Sequence, residues 1–180
     1  MKKKKKKKIV ILSLLLSVSF YVTAYGYVYY ANGYIDTYRE ISNYNMNDVW
    51  WNCVNNGRTS WNNAPTRVYF AVNSSSPNKI MAGNYPDNWY GQYSPDKVNL
   101  IGSALQFSIR LNSRAINSAT DLTDWSKYVE STACHELGHS CFLSDIENSK
   151  TVLMGHARDR NDLYKPTDDD INGVNHNYPN

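Results

Sequence analysis

Hydrophobic and polar positions alternate with two different periods along the chain. Apolar residues recur at three- and four-residue steps over 47–61 and at four-residue steps over 125–141, which predicts two helices. Strict alternation of apolar and polar residues over 104–111 predicts a half-buried strand, and the β-branched and aromatic run 66–72 predicts another. These segments follow one another without an internal repeat or a second-domain linker, so the pattern predicts one domain that contains both helices and strands.

Three further segments have less regular patterns. Residues 84–96 are rich in turn formers, and we expect a loop there that contains a short strand at 89–93. Residues 165–178 predict a C-terminal helix, which Thr167 can cap. The Tyr- and Asn-rich residues 25–44 are compatible with a short strand or with a loosely attached pro-segment.

The N-terminus has the composition of an export signal. The basic run Lys2–Lys8 precedes an apolar run over 9–22, and small residues follow it up to Ala24. A positive segment, a short hydrophobic segment and small residues at the exit are typical of a signal peptide. We therefore expect residues 1–24 to be removed and the protein to be secreted and extracellular. An uncleaved leader that acts as an N-terminal membrane anchor is the alternative.

The formal charge of +3 does not describe the rest of the chain. Seven of the 19 basic residues lie in the leader, and the other 12 stand against 16 acidic residues. A chain that is acidic after its leader lacks the basic surface that nucleic acids require. We therefore expect no nucleic-acid partner.

The three cysteines are Cys53, Cys134 and Cys141. Export permits disulfides, but an odd number leaves at least one thiol free or paired between chains. Cys134 and Cys141 are seven residues apart on a predicted helix, which separates them by about 10 Å and excludes a bridge between them. The alternatives are a bridge from Cys53 to one of the other two, or three buried thiols.

The candidate chemistry lies in the sequence His-Glu-Leu-Gly-His at 135–139, within the second predicted helix. Residues four apart share a helix face, so His135 and His139 can bind one metal ion together. Zinc takes neutral histidine nitrogens at about 2.0–2.1 Å, and a catalytic site keeps one position open for water. Glu136, one step round the helix, can take a proton from that water. The alternative is a helix with two ordinary histidines and a surface glutamate.

A third metal ligand is expected at Asp145, six residues after His139. In the metzincin pattern H-E-x-x-H-x-x-G-x-x-H this is the place of the third ligand, and a carboxylate binds zinc at about 2.0–2.2 Å. The chain therefore resembles the metzincin metallopeptidases, and the variant with Asp resembles the small secreted snapalysin-like forms. Phe142 stands where the pattern has the glycine that ends the helix. His156 is the substitute candidate for the third ligand.

The resemblance continues downstream of the third ligand. Met154, nine residues after Asp145, looks like the methionine of the metzincin Met-turn, which forms an apolar floor beneath the ligands. His156 falls where some relatives place a residue that helps to hold the reacting carbonyl oxygen. Residues 165–178 resemble the C-terminal helix of matrixins. Their acidic run 168–170 is interpreted as capping, and a structural Ca²⁺ site is the alternative.

The resemblance implies an α+β fold with a twisted mixed β-sheet, an active-site helix, a second helix and a small C-terminal subdomain that ends in a helix. It places an N-terminal segment or short pro-segment at 25–46 and the catalytic domain at 47–180. A protein or peptide substrate would bind as an extended strand beside the sheet. We expect a monomer.

The function expected from the motif and the resemblance is that of a secreted zinc metalloendopeptidase. One catalytic Zn²⁺ would be held by His135, His139 and Asp145, and Glu136 would act as general base towards the zinc-activated water. The alternative is a catalytically silent, zinc-stabilised extracellular binding module on the same fold.

Overall fold

The computed structural model describes residues 27–179, so the predicted leader lies outside the described residues. The strands are β1 (Tyr38–Asn43), β2 (Tyr69–Val72), β3 (Lys79–Gly83), β4 (Gly91–Val98) and β5 (Ala104–Asn112). The helices of this range are α1 (Asp48–Asn63), α2 (Ser113–Asn117), α3 (Trp125–Ser140) and α4 (Asp168–Asn177). The coarse prediction of an α+β fold is confirmed. Over residues 27–179, no helix combines the length and the apolar character that crossing a membrane requires.

The five strands form one mixed sheet with the order β2-β1-β3-β5-β4. Neighbouring strands are parallel from β2 to β5, whereas β4 runs antiparallel to β5 and lies at the end of the sheet. Parallel strands are usually covered by other elements. In agreement with this, Ile41, Phe70, Ile80 and Ile109 are completely buried.

β1 lies inside the predicted N-terminal segment, so the strand alternative for this segment is the one observed. It pairs with β2 on one side and with β3 on the other, near the middle of the sheet. The residues before β1 are held against the end of α3. The N–H of Tyr30 donates to the carbonyl of Phe142 at 2.8 Å, and the N–H of Tyr34 donates to that of Ser140 at 2.7 Å.

β4 is longer than the strand predicted at 89–93, because it continues through Pro95 to Val98. Proline lacks the N–H that a central strand would need, but an edge strand tolerates it. The pairing with β5 shifts register between Pro95 and Lys97, as expected of a bulge at a sheet edge. β3 was not predicted from the sequence.

α1 and α3 approach each other closely where Gly57 faces Cys134. A Cβ atom on Gly57 would lie only 3.1 Å from the backbone nitrogen of Cys134, so a larger residue would push the helices apart. Trp61 secures the same contact by donating from Nε1 to the Cys134 carbonyl at 2.8 Å. Cys53, Cys134 and Cys141 are all buried and form no disulfide. Of the two alternatives expected from the sequence, three buried thiols is therefore the one observed.

Candidate metal centre

α3 presents both motif histidines on one face, in fixed orientations. Asp124 caps the helix by accepting from the N–H of Lys127 at 3.1 Å. The Nδ1 atom of His135 lies 2.9 Å from the Leu153 carbonyl, and that of His139 lies 2.8 Å from the Leu143 carbonyl. A carbonyl oxygen can only accept, so each Nδ1 must carry the proton. Each Nε2 is therefore left as a free acceptor, which is the form that ligates metals.

Three acceptor groups converge in front of this helix face. Nε2 of His135 lies 2.9 Å from one carboxylate oxygen of Asp145, and Nε2 of His139 lies 3.9 Å from the other. The possible metal-ligand atoms of His135, Glu136 and His139 also lie within 4.8 Å of one another. Lone pairs that point at one another need a shared cation or a proton between them.

The spacing and chemistry of these groups fit a zinc ion. Ligand atoms at about 2.0–2.1 Å around a tetrahedral ion are roughly 3.3 Å apart. The separations of 2.9 and 3.9 Å between the histidines and Asp145 fall on either side of that value. Two imidazole nitrogens and one carboxylate also form a common donor set of catalytic zinc. His135, His139 and Asp145 are therefore the residues that could hold the metal.

Electrostatics favour the metal-binding protonation states of two of these groups. Burial, together with the charge of Arg158, lowers the pKa of His135 to about 3. Burial opposes ionisation of Asp145, but the contact with His135 at 2.9 Å and the neighbouring His139 lower its pKa to about 2. The neutral imidazole and the ionised carboxylate are thus present across the physiological pH range.

The depressed pKa of His135 predicts that acid destabilises the zinc-free protein. Folded His135 stays neutral down to about pH 3, whereas the unfolded side chain binds a proton below its ordinary pKa of 6.5. The unfolded state therefore binds more protons below that pH, and the free energy of unfolding falls by up to about 1.4 kcal/mol per pH unit. Urea unfolding in EDTA between pH 7 and 5 measures this slope.

The control for the acid effect is His135→Gln, which removes the titrating group and keeps a hydrogen-bonding side chain of similar size. We expect the variant to lose most of the slope between pH 6.5 and 5. The carboxylates whose pKa is raised by burial, Glu130 and Glu136, are present in both proteins, so the difference between the two slopes reports His135. Equal slopes in both proteins would contradict the assignment of the acid effect to His135.

α3 ends in a Schellman motif that turns the chain back towards the histidines. The N–H of Phe142 donates to the carbonyl of His139 at 3.2 Å, and that of Leu143 donates to Gly138 at 3.2 Å. Phe142 has a φ of 63°, so it adopts the left-handed conformation that the pattern assigns to glycine. The reversal brings Leu143 and Asp145 to His139 despite the missing glycine.

The packing of the Phe142 ring offsets the strain of its backbone. The ring is 7% exposed, and it lies 5.5 Å from the ring centroids of both Tyr29 and Tyr178. Left-handed backbone costs a residue with a Cβ about 1–2 kcal/mol, whereas a buried phenylalanine contributes about 3–5 kcal/mol. The aromatic contacts therefore exceed the strain.

Substitutions of Phe142 should show this balance. Phe142→Ala loses the packing but keeps the strain, and we expect it to cost about 3–5 kcal/mol. Phe142→Gly loses the same packing and relieves the strain, so it should be less destabilising than the alanine variant by about 1 kcal/mol. Chemical denaturation of both variants measures the difference. An alanine variant as stable as the glycine variant would show that no strain is stored.

Glu136 is held beside the metal-binding atoms by the edge strand. A Cβ atom on Gly91 would lie 2.5 Å from Oε1 of Glu136, so only glycine allows β4 to approach this closely. Burial and the charge of Asp145 raise the pKa of Glu136, although His139, Arg158 and a backbone hydrogen bond from Tyr93 oppose the rise. A carboxylate whose pKa is raised by burial is suited to accept and return a proton near neutral pH.

Met154 is buried against α3 at Gly138, which lies between the two motif histidines in the sequence. It is 1% exposed, and a Cβ atom on Gly138 would lie 2.5 Å from its sulfur. The buried carboxylate of Asp170 accepts from the N–H groups of Leu153 and Met154 at 2.9 and 3.1 Å. The same carboxylate completes a capping box with Thr167 at the start of α4. The capping alternative for 168–170 is thus the one observed at Asp170.

His156 lies at the wall of the site rather than among the converging acceptors. It is exposed, and its backbone N–H donates to the Ile146 carbonyl at 3.1 Å. Its charge lowers the pKa of Asp145. Among the described residues, however, the ion-pair contacts of Asp145 are with His135 and His139.

A cleft of about 420 Å³ opens in front of the metal-binding atoms. Its lining includes five residues that sequence reasoning did not identify, namely Tyr30, Tyr90, Thr132, Arg158 and Arg160. They come from four separate stretches of the chain, and no local spacing marks them. Only the packing of these stretches around α3 brings them to one cleft.

Comparisons with known proteins show a likeness in fold. The chain matches no protein-family model and no curated protein. It is similar to a chain of the solved structure described as "GM1 bound form of the ECX AB5 holotoxin", with a TM-score of 0.53 and 15% sequence identity. The match covers 85% of this chain and 88% of that chain. At this identity the likeness concerns the fold alone.

The family prediction made from the motif is corrected by these comparisons. The matching structure is described as a toxin and not as a peptidase, and no family model supports a metzincin. The matrixin-like and snapalysin-like identification is therefore not upheld. The classification as a zinc metalloendopeptidase is likewise not upheld. A five-residue zinc motif occurs on unrelated folds, so it does not establish a family.

Proposed function

We propose that the mature protein binds one zinc ion in this cleft and, with Glu136 as general base, directs water at the carbonyl group of a bound peptide strand. One observation carries the proposal: the free Nε2 atoms of His135 and His139 converge with Asp145 beside a buried glutamate. The proposal rests on these residues and on no family membership.

The chemistry divides between the ion and the chain. When bound, zinc supplies a water of lowered pKa and a Lewis acid for the carbonyl oxygen. Glu136 accepts the proton of the attacking water and then donates it to the departing nitrogen. The raised pKa of Glu136 allows both steps at one residue. Tyr30 faces the same cleft, and burial and the charges of Glu136 and Asp145 raise its pKa, so its hydroxyl stays a donor.

The edge of the sheet offers a place for the peptide. β4 lies at the end of the strand order, and its residues Gly91–Tyr93 line the cleft next to Glu136. An extended peptide can pair with such an edge through main-chain hydrogen bonds. This pairing would hold a carbonyl group in front of the glutamate without selecting its side chains.

The second candidate is an extracellular binding module in which zinc only stabilises the fold. The likeness to a chain of a GM1-bound toxin favours it, because that comparison names a bound ligand and no reaction. Secretion is part of both candidates. The leader sequence supports it, and so does the likeness to a toxin.

Glu136→Gln separates the two candidates. The amide keeps the shape of the side chain and leaves the three candidate ligands in place, so we expect zinc content to remain stoichiometric. The amide cannot accept the proton of the attacking water, however. Cleavage of an unfolded protein such as casein should fall about 10²–10⁴-fold, the usual contribution of a general base. Mature protein is loaded with zinc, its metal content is measured, and the products are followed by mass spectrometry.

The matched control is Glu147→Gln, which removes an exposed carboxylate of the same kind outside the cleft. It should cleave like the wild type. Stoichiometric zinc with no cleavage by the wild-type protein would favour the binding module. Cleavage that survives Glu136→Gln would contradict the role of Glu136.

A further inference from the structure

Two arginines lie in the cleft beside the metal-binding atoms. Arg158 is 3% exposed, Arg160 is half-buried, and both line the cleft together with Glu136. Neither arginine has a role in the proposed reaction. A buried guanidinium normally has a carboxylate partner, because burying an unpaired charge is costly.

Arg158 is fixed in place by neutral groups. Its Nε donates to Oγ of Ser131 at 3.2 Å, Nη2 donates to the Ser131 carbonyl at 3.3 Å, and Nη1 donates to the Gly155 carbonyl at 3.0 Å. These bonds hold the guanidinium rigidly between α3 and the segment that follows Met154. All three acceptors are neutral, so these bonds bring no negative charge to the guanidinium.

Arg160 is stacked rather than paired. Its guanidinium carbon lies 4.6 Å from the ring centroid of Tyr90 and 5.7 Å from that of Tyr128. Its Nε is buried and has no hydrogen-bond partner. The ion pairs of residues 27–179 include neither Arg160 nor Arg158.

The acidic residues nearby have other partners. Asp159 accepts from the N–H and the side chain of Asn161, each at 2.9 Å. Asp121 accepts from the hydroxyl of Tyr128 at 3.1 Å. Glu136 and Asp145 act on Arg158 only through their charge, and both belong to the metal centre. Burial and the charge of Arg160 lower the pKa of Arg158 to about 9.

We propose that Arg158 and Arg160 form an arginine pocket that binds a carboxylate of the peptide in the cleft, so that an aspartate or glutamate beside the reacting carbonyl is preferred. This inference rests on the proposed function for the presence of a peptide. A carboxylate supplies the anionic partner that neither guanidinium has among the ion pairs of residues 27–179, and such charge-assisted bonds are strong where water is excluded. Zinc in the neighbouring site adds to the positive potential.

Peptide binding to zinc-loaded Glu136→Gln protein tests the pocket without any need for turnover. The probes are fluorescent peptides that have blocked ends and otherwise neutral residues. Each peptide carries Glu, Gln or Lys at one interior position, and fluorescence anisotropy gives its Kd. We expect Glu at the preferred position to bind at least about tenfold more tightly than Gln, and Lys to bind more weakly still. Equal affinities for Glu and Gln at every position would overturn the proposal.

Two arginine variants and one control assign the effect to the pocket. Arg160→Gln should reduce the preference for Glu over Gln to about one, because a neutral side chain cannot pair with the carboxylate. Arg158→Gln should do the same, but it also removes bonds to Ser131, so its folding is checked by circular dichroism. Arg67→Gln removes an equal charge outside the cleft and should keep the preference. A preference that survives Arg160→Gln would contradict the pocket.

A further peptide distinguishes the two sources of a carboxylate. It carries no acidic residue but has a free C-terminus, and it is compared with the amidated form. Tighter binding of the free C-terminus alone would refute the side-chain preference and assign the pocket to chain ends. A failure of hydrolysis would leave all these binding results unaffected, so the two proposals fail separately.

Discussion

Asp145→Ala is expected to weaken zinc binding by more than about 100-fold, since residues that merely orient a ligand already contribute about 10–100-fold. The carboxylate of Asp145 lies 2.9 Å from Nε2 of His135 and 3.9 Å from Nε2 of His139. Its removal leaves two imidazoles, which do not satisfy a four-coordinate ion with a single open position. Competition with a chromophoric chelator measures the affinity.

His156→Ala is the matched control for Asp145→Ala. His156 lines the same cleft but lies outside the converging acceptors, so zinc affinity should stay within a few-fold of the wild type. The opposite order, with affinity lost in the His156 variant and kept in the Asp145 variant, would make His156 the third ligand. Both variants keep His135 and His139, so the comparison isolates the third position.

Asp170→Ala is expected to lower the free energy of unfolding by about 3–5 kcal/mol. The carboxylate of Asp170 is buried and accepts from the N–H groups of Leu153, Met154 and Thr167, and from the hydroxyl of Thr167. Each hydrogen bond to a charged group contributes about 1.5–3 kcal/mol, and donors left unpaired in the core add their desolvation cost. Urea unfolding of the zinc-free protein measures the loss.

The consequence should extend to the metal centre, because the Leu153 carbonyl that Asp170 helps to position holds Nδ1 of His135. We therefore expect about 10-fold weaker zinc binding in the same variant. Asp168→Ala is the control: Asp168 is exposed in the first turn of α4, where it contributes only about 0.3–1 kcal/mol through the helix dipole. Equal losses in both variants would mean that Asp170 acts only through the helix dipole.

The turn after α3 shows where local rules stopped being sufficient. The pattern assigns glycine to position 142, because left-handed backbone is strained for other residues. The structure nevertheless places Phe142 in that conformation. Aromatic contacts from Tyr29 and Tyr178, which are distant in sequence, compensate for the strain. A rule that considers only the residue at position 142 cannot include the stabilisation from these distant contacts.

The family identification went further than the residues allowed. Local spacing showed that two histidines and a glutamate share a helix end, which is a statement about a site. The comparisons then gave a fold likeness to a toxin chain in place of a peptidase family. Sites recur on different folds, so a local motif indicates a chemistry and not a family.

The sequence by itself determined the elements with strong periodicity: α1, α3, β5, the capped α4 and the placing of His135 and His139 on one helix face. These follow from contacts within a few residues, which spacing records. Tertiary structure alone decided that β1 and β3 lie inside the sheet, that Asp170 supports Met154, and that Gly91 admits Glu136 to the edge strand. It also gathered Arg158 and Arg160 in one cleft with the candidate metal ligands. Such arrangements depend on side chains that meet across long sequence separations, so no local pattern encodes them.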